Sequence, residues 1–213
     1  MEFKITSIGD TCTVVGVSEN SFVNLIIPAQ IDGYMVVKLG DHLFENSCLM
    51  HLTIESPVIT IGKSTFKNSL IETVKCKHII SVDDSAFESS YIKDITCTEL
   101  DCIKSNAFKD CEKLSIIAFA KNASRISEDA FTNDNVALIG NSNSIVETFC
   151  QKTGHKFINL SNNSLPDVCP DCGIGWNFKR EPQLHGSCPK CGKRIYVERS
   201  GKVIILDQKN VSS

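Results

Sequence analysis

Two closely spaced pairs of cysteines carry the clearest chemical signal in this sequence of 213 residues. Each pair encloses two residues and is followed by glycine: Cys169-Pro-Asp-Cys172-Gly and Cys188-Pro-Lys-Cys191-Gly. Two intervening residues let a tight turn direct both sulfurs to one point, and the glycine permits the backbone geometry of such turns. Fifteen residues separate the pairs, a spacing typical of a zinc site. We therefore predict one structural Zn²⁺, because four thiolate ligands leave no open position for catalysis.

The elements around these cysteines resemble the zinc-ribbon, or rubredoxin-type knuckle, family over about residues 167–208. Trp176 and Phe178 alternate as in a strand, and the segments 194–199 and 202–206 predict a hairpin. So short a module buries little core, so the metal should supply much of its folding energy. Iron in a rubredoxin-like electron-transfer role is the alternative. His185 is interpreted as a loop residue, although its position would allow it to bind the metal.

Charge separates this module from the rest of the chain. Residues 166–213 hold eight Lys/Arg and five Asp/Glu, net +3, whereas residues 1–165 have a net charge of −6. The polar stretch 161–166 ends in proline and predicts a linker. We expect a first domain at 1–160, this linker, and a zinc ribbon at 167–213.

A repeat of about 21 residues runs through the first domain. Five phenylalanines recur at spacings of 22, 21, 21 and 23, namely Phe44, Phe66, Phe87, Phe108 and Phe131. An aliphatic residue stands five positions before each, namely Leu39, Ile61, Val82, Ile103 and Ile126. A short alternating strand follows the first four, with the inward residues Ile54, Cys76, Cys97 and Phe119. Such a unit cannot bury its own phenylalanine, so the units must stack into a solenoid in which equivalent residues form ladders.

The segments Ile61-Gly-Lys-Ser-Thr-Phe66 and Phe108-Lys-Asp-Cys-Glu-Lys-Leu114 resemble the BspA-like leucine-rich repeats, as does the opening segment 27–40. This resemblance covers about residues 1–160. It implies a mainly β leucine-rich repeat solenoid of about five repeats of 21–23 residues. It also implies that other proteins bind on the surface of the strand array. Asp83, Lys104 and Ser127 replace the glycine that the family pattern expects.

Both ends of the solenoid need caps that cover its core. Alternating apolar residues in 2–27 predict small antiparallel strands before the first repeat. At the other end, 144–153 predicts a short closing helix, with a capping box from Ser144 to Glu147 and Gly154 at its C-terminus. Its apolar faces comprise Ile145, Val146, Phe149 and Cys150. A last strand is expected at 157–160.

The remaining seven cysteines are interpreted as reduced. A total of eleven is odd, which argues against a disulfide framework. Cys76, Cys97 and Cys150 are explained as small core residues. The start of the sequence lacks the basic flank and apolar run of a signal peptide, and no apolar run is long enough for a membrane span. Together these features predict a cytoplasmic protein.

Catalysis is not indicated. The histidines of the repeats are dispersed, and neither glycine-rich phosphate-binding motif occurs. Our first hypothesis is a non-enzymatic scaffold that binds another protein. The predicted outward positions are His51, Thr53 and Glu55; Thr73, Lys75 and Lys77; Asp94, Thr96 and Thr98; and Ile116, Ala118 and Ala120. The alternative is a nucleic-acid-associated protein, because basic residues such as Lys179 and Arg180 lie near Trp176 and Tyr196 in the ribbon.

Overall fold

The structure, a computed structural model, describes residues 2–19, 22–57, 59–96, 99–119, 123–133 and 136–159, and four further strands in 177–206. The strands of the first part are β1 Phe3–Ile8, β2 Thr11–Val17, β3 Asn24–Ile27, β4 Gln30–Ile31, β5 Tyr34–Leu39, β6 His51–Ile54, β7 Ile59–Ile61, β8 Thr73–Cys76, β9 His78–Val82, β10 Asp94–Thr96, β11 Glu99–Ile103, β12 Ile116–Ala118, β13 Arg125–Ile126, β14 Ala137–Gly140 and β15 Lys156–Asn159. The helix α1 spans Ile145–Thr153. The later strands are β16 Asn177–Arg180, β17 Leu184–Ser187, β18 Arg194–Val197 and β19 Val203–Leu206.

The repeats form a solenoid with parallel strands on two sides. The first sheet has the order β1-β2-β5-β7-β9-β11-β13, with β4 paired to β5. The second sheet has the order β10-β8-β6-β3, and a third consists of β12-β14-β15. Successive strands within each sheet come from successive repeats, as the solenoid interpretation predicted.

The five repeat phenylalanines form one continuous stack. Neighbouring ring centroids lie 5.0–5.5 Å apart, and their planes deviate by at most 16°. Phe22 contacts the first ring edge-on at 6.4 Å, and Phe149 contacts the last at 5.9 Å. All five rings are buried. The ladder predicted from their spacing is therefore confirmed.

The aliphatic ladders also lie in register. The aliphatic residues that stand five positions before the phenylalanines pair with one another, repeat to repeat, in the first sheet. They are Leu39, Ile61, Val82, Ile103 and Ile126. In the second sheet Ile54 pairs with Cys76, and both are buried, as is Phe119. Cys97, the remaining member of that predicted row, lies outside the described residues. The core interpretation of Cys76 is confirmed.

Left-handed backbone shapes the first four phenylalanine turns. Positive φ occurs two residues before and two residues after each of these phenylalanines, at His42 and Asn46, Ser64 and Asn68, Ser85 and Ser89, and Asn106 and Asp110. The N–H of each of the four donates to the carbonyl of the residue that precedes the next phenylalanine, at 2.7–2.8 Å. The turns are thus hydrogen-bonded to one another along the stack. These eight left-handed residues carry no sequence signal of their conformation, because none of them is glycine.

The turn keeps its backbone hydrogen bond where Asp83, Lys104 and Ser127 replace the glycine of the family pattern. Gly62, Asp83, Lys104 and Ser127 donate the same backbone hydrogen bond to the preceding repeat, at 2.9–3.0 Å. At Gly62 a Cβ atom would come within 2.6 Å of the Leu39 carbonyl oxygen, so a side chain there would force the local backbone to shift. In the next two repeats Lys104 Nζ lies 2.8 Å from the Asp83 carboxylate. Two of the three residues that replace glycine therefore form an ion pair between neighbouring repeats.

The N-terminal cap agrees only in part with the prediction. Strands β1 and β2 form an antiparallel hairpin, and β2 continues the first sheet beside β5. Strand β3, which we expected to be antiparallel, instead pairs in parallel with β6. The reason is that Leu25 and Ile27 lie beside Leu52 and Ile54, so this segment already behaves as a repeat strand.

The C-terminal cap contains the predicted helix. Ser144 Oγ accepts a hydrogen bond from the Glu147 N–H at 3.2 Å, and Gly154 adopts a left-handed conformation at the other end. Val146, Phe149 and Cys150 are buried, but Ile145 is exposed, so its assignment to an apolar face was wrong. The last strand follows as β15. Strand β14 was not predicted, and it is inserted between β12 and β15.

Candidate protein-binding surface

The outer face of the second sheet has the predicted polar character in its described part. His51, Thr53, Thr73 and Lys75 point away from the core, alternating with buried residues of β6 and β8. His51 Nδ1 lies 3.0 Å from Thr73 Oγ1, which joins neighbouring repeats across this face. Asp94, Thr96, Ile116 and Ala118 belong to β10 and β12, and Glu55 and Lys77 follow β6 and β8. Thr98 and Ala120 lie outside the described residues.

A second row of exposed residues runs along the border between the phenylalanine turns and this sheet. Cys48, Leu70 and Tyr91 each stand four positions after a repeat phenylalanine, and we call them the apolar ridge. Leu70 is 41% exposed and Tyr91 is 51% exposed. This row was not predicted, because its residues lie before the strands, and outward positions were expected only on the strands. The constant offset from each phenylalanine was the signal that could have revealed it.

A groove adjoins Tyr91 at the end of the ridge. It encloses about 360 Å³ and is lined by Ser89, Ser90, Tyr91, Asp110, Glu112 and Lys113. Its origin is one additional residue: seven positions separate Phe87 from the start of β10, whereas eight separate Phe108 from the start of β12. The described second and third sheets are divided at this same place.

The additional residue lies at the surface and leaves the core unchanged. Leu114 is buried in the position that Ile92 occupies in the preceding repeat, while Glu112 and Lys113 remain exposed. Below them the Cys111 thiol donates to the Phe87 carbonyl at 2.9 Å. Burial raises the pKa of the Cys111 thiol to about 12. This buried thiol is therefore neutral and is not a nucleophile.

Most charges beside the ridge are paired between repeats. Glu88 lies 3.0 Å from Lys67 Nζ and 3.9 Å from Lys109 Nζ. Glu72 lies 2.7 Å from Lys93 Nζ. Pairs that are this exposed contribute little to stability, because solvent screens them. They connect side chains of neighbouring repeats beside the ridge.

The six described cysteines outside the predicted metal site are free thiols, namely Cys12, Cys48, Cys76, Cys102, Cys111 and Cys150. Burial raises the pKa of Cys76 and of Cys150 to about 11. Cys48 is exposed on the apolar ridge. The interpretation of Cys150 as a core residue of the closing helix is confirmed.

The predicted zinc ligands Cys169, Cys172, Cys188 and Cys191 lie outside the described residues, as do the linker at 161–166 and Trp176. Around them, β16, β17, β18 and β19 form a four-stranded antiparallel sheet. The predicted hairpin is present, with Tyr196 paired to Ile204. Among the described residues, no cluster of three or more His, Cys, Asp or Glu could hold a metal ion. The zinc site stays a prediction.

Within the described part of the chain, no helix is long and apolar enough to cross a membrane. Its one helix, α1, has nine residues.

The repeating geometry defines a leucine-rich repeat solenoid, and the comparison with protein families identifies its type. Residues 37–153 match the BspA type leucine rich repeat region in six copies, one more than the five repeats that we predicted. The chain belongs to this family.

No curated protein matches the chain. Among solved structures, a leucine rich cell surface protein from Faecalibacterium prausnitzii A2-165 is similar, with 19% sequence identity and a TM-score of 0.45. The similarity covers 75% of this chain and 48% of that one. The chain thus spans about half the length of that relative.

Proposed function

We propose that the protein is a non-enzymatic binding module whose solenoid holds another protein at the apolar ridge and the adjoining groove. The observation that carries this proposal is Tyr91, a large aromatic side chain that is half exposed beside a groove. Tyrosine is among the residue types that most often anchor protein interfaces. Its ring offers apolar area, and its hydroxyl can form a hydrogen bond at the rim.

The solenoid makes this surface suitable for binding because its positions are fixed before a partner arrives. Phe87 and Phe108, which flank Tyr91 in sequence, are both buried and stacked at 5.2 Å. The turns that carry them are hydrogen-bonded to each other. A rigid surface loses little conformational entropy on association, so more of the contact energy appears as affinity.

Site-specific photo-crosslinking tests the proposal. A photoreactive phenylalanine analogue replaces Tyr91 in the full chain, and a matched control replaces Ile80 of β9, which is 48% exposed on the first sheet. In a nuclease-treated native lysate we expect a discrete protein adduct at position 91 and not at position 80. Excess wild-type protein should compete the adduct away, whereas the Tyr91→Ala variant should not. Equal adducts at both positions, or none at 91, would overturn the proposal.

A structural Zn²⁺ bound by Cys169, Cys172, Cys188 and Cys191 is part of the same proposal. Its support is the spacing of the cysteines and their positions relative to the strands. β17 ends immediately before Cys188, and β18 begins three residues after Cys191. Turns between antiparallel strands are where paired metal-binding cysteines belong in a ribbon. The metal would hold strands together in a module too small to stabilise itself.

We also propose a reducing compartment, the cytoplasm, as the location of the protein. The support comes from the six described cysteines of the solenoid, which are all free thiols. Disulfides usually form and persist in extracellular proteins. Thiol counting, described in the Discussion, tests this part.

A further inference from the structure

The backbone hydrogen bonds that join successive turns along the apolar ridge stop at the groove. The N–H groups of Leu70 and Tyr91 each donate to the serine carbonyl three positions after the phenylalanine of the preceding repeat, at 3.0 and 3.2 Å. One repeat later the equivalent bond would run from Glu112 to Ser90. Within the described chain, no backbone donor reaches the Ser90 carbonyl, and the N–H groups of Glu112 and Lys113 reach no backbone acceptor.

This interruption leaves a backbone acceptor beside two backbone donors in the lining of one groove. Backbone N–H and C=O groups are strong hydrogen-bonding groups that proteins rarely leave without a partner. The main chain of an extended peptide carries one donor and one acceptor on each residue. A peptide lying along the groove could therefore donate to Ser90 and accept from Glu112 or Lys113, which would restore the ladder through a second chain.

The charges in the lining favour a cationic side chain on that peptide. Asp110 and Glu112 contribute two carboxylates, and Lys113 contributes one ammonium group. The Asp110 carboxylate accepts a hydrogen bond from Thr132 Oγ1 at 3.1 Å. Neither Glu112 nor Lys113 forms an ion pair with another residue of the described chain. Lys113 is exposed, and its flexible stem can place the ammonium group in solvent.

Tyr91 distinguishes arginine from lysine as that side chain. Its ring is half exposed in the lining of the groove. A guanidinium group is planar, so it can stack on an aromatic face and also donate two parallel hydrogen bonds to a carboxylate. A lysine ammonium is a compact point charge without this planar fork.

We propose that the partner contributes an extended, arginine-containing segment to this groove. Its main chain bonds to Ser90 and to Glu112 or Lys113, and its guanidinium stacks on Tyr91 and pairs with the carboxylates of Asp110 and Glu112. This inference rests on the proposed function, because it names the kind of partner that the same surface holds.

An NMR titration of the ¹⁵N-labelled full chain tests this inference with a defined probe, the capped pentapeptide acetyl-Val-Thr-Arg-Val-Thr-amide. The amide protons of Glu112 and Lys113 should shift, because at least one of them gains a hydrogen-bond acceptor. Citrulline in place of arginine keeps the shape of the side chain and removes its charge. The citrulline peptide should have a Kd about fivefold higher or more.

Two variants test the contacts assigned to the guanidinium. Glu112→Gln removes one carboxylate, and Tyr91→Leu keeps an apolar side chain without an aromatic face. Each should lower the ratio of the citrulline Kd to the arginine Kd by about twofold or more. Glu55→Gln, a matched change at an exposed glutamate just after β6, should leave this ratio unchanged. Thermal melting should confirm that all three variants fold.

Three results would each overturn the inference. They are equal binding of the arginine and citrulline peptides, an unchanged ratio in Glu112→Gln, and no shift at Glu112 or Lys113 with millimolar peptide. A protein adduct at position 91 in the crosslinking experiment, obtained together with any of these results, would leave the proposed function standing. The partner would then bind through a surface other than an extended, arginine-containing segment.

Discussion

Removing one ring from the phenylalanine stack should destabilise the solenoid more at its centre than at its end. Phe87 is fully buried, with ring centroids of neighbours at 5.0 Å on one side and 5.2 Å on the other. The Phe87→Ala variant would leave a cavity between two rings that hydrogen-bonded turns hold in place. Because those turns are tied to each other, the neighbouring rings have little freedom to move into the space.

The expected magnitude follows from burial and from stacking. Truncation of a buried phenylalanine to alanine costs about 3–5 kcal/mol. Each stacked aromatic pair contributes about 0.5–1.5 kcal/mol beyond the buried area, and Phe87 takes part in two such pairs. Because measured truncations already include lost ring contacts, these two pairs place Phe87→Ala in the upper half of that range, at about 4–5 kcal/mol. Phe44 has one parallel-stacked neighbour, Phe66, and an edge contact with Phe22, so Phe44→Ala should cost about 3–4 kcal/mol. Phe87→Leu, which keeps much of the volume, should cost about 1–3 kcal/mol.

Urea unfolding followed by circular dichroism measures these differences. The free energy of unfolding is obtained from the midpoint and slope of each curve. Ile80→Ala serves as the exposed control and should stay within about 0.5 kcal/mol of wild type. The stack is refuted as the main support of the core if Phe87→Ala and Phe108→Ala both unfold like the wild type.

Further predictions concern thiols, pH, metal and domain independence. In the native protein a thiol reagent should label the exposed Cys48 quickly, and denaturation with chelator should reveal all eleven thiols; fewer without added reductant would contradict a reducing compartment. Burial raises the Cys111 pKa from 9.0 to about 12 on folding, so unfolding free energy should decrease as pH rises across that interval. The difference in unfolding free energy between wild type and Cys111→Ala should shrink as the pH rises from about 9 to about 12. A difference that does not change with pH would contradict this prediction. Metal analysis should find one zinc per chain, lost in Cys169→Ser but not in Cys48→Ser; a red, iron-containing protein would instead favour the rubredoxin alternative. A chain ending at Leu160 should fold without metal, and chelation should leave the solenoid's melting transition intact in the full protein; loss of that transition would refute independent folding.

The sequence alone was sufficient for the repeat and for the closing helix. The phenylalanine spacing predicted the stack because a solenoid places equivalent residues of successive repeats in contact. The same logic explained Cys76 as a core residue before its surroundings were known. Ser144 and Gly154 marked both ends of α1, since helix caps depend on backbone groups a few residues away. These features involve one repeat or one turn of helix, where spacing along the chain determines spatial contact.

The tertiary structure decided what lies at the surface and at the ends of the stack. The parallel pairing of β3 with β6 could not be predicted from alternation, because alternation specifies a strand but not its partner or direction. The groove beside Tyr91 is lined by Glu112 and Lys113, which stay exposed in a repeat that has one additional residue. The left-handed turn residues are selected by hydrogen bonds between repeats and not by glycine. The offset of four residues from each phenylalanine places the apolar ridge, but how far each of its side chains is exposed is set by contacts between distant segments.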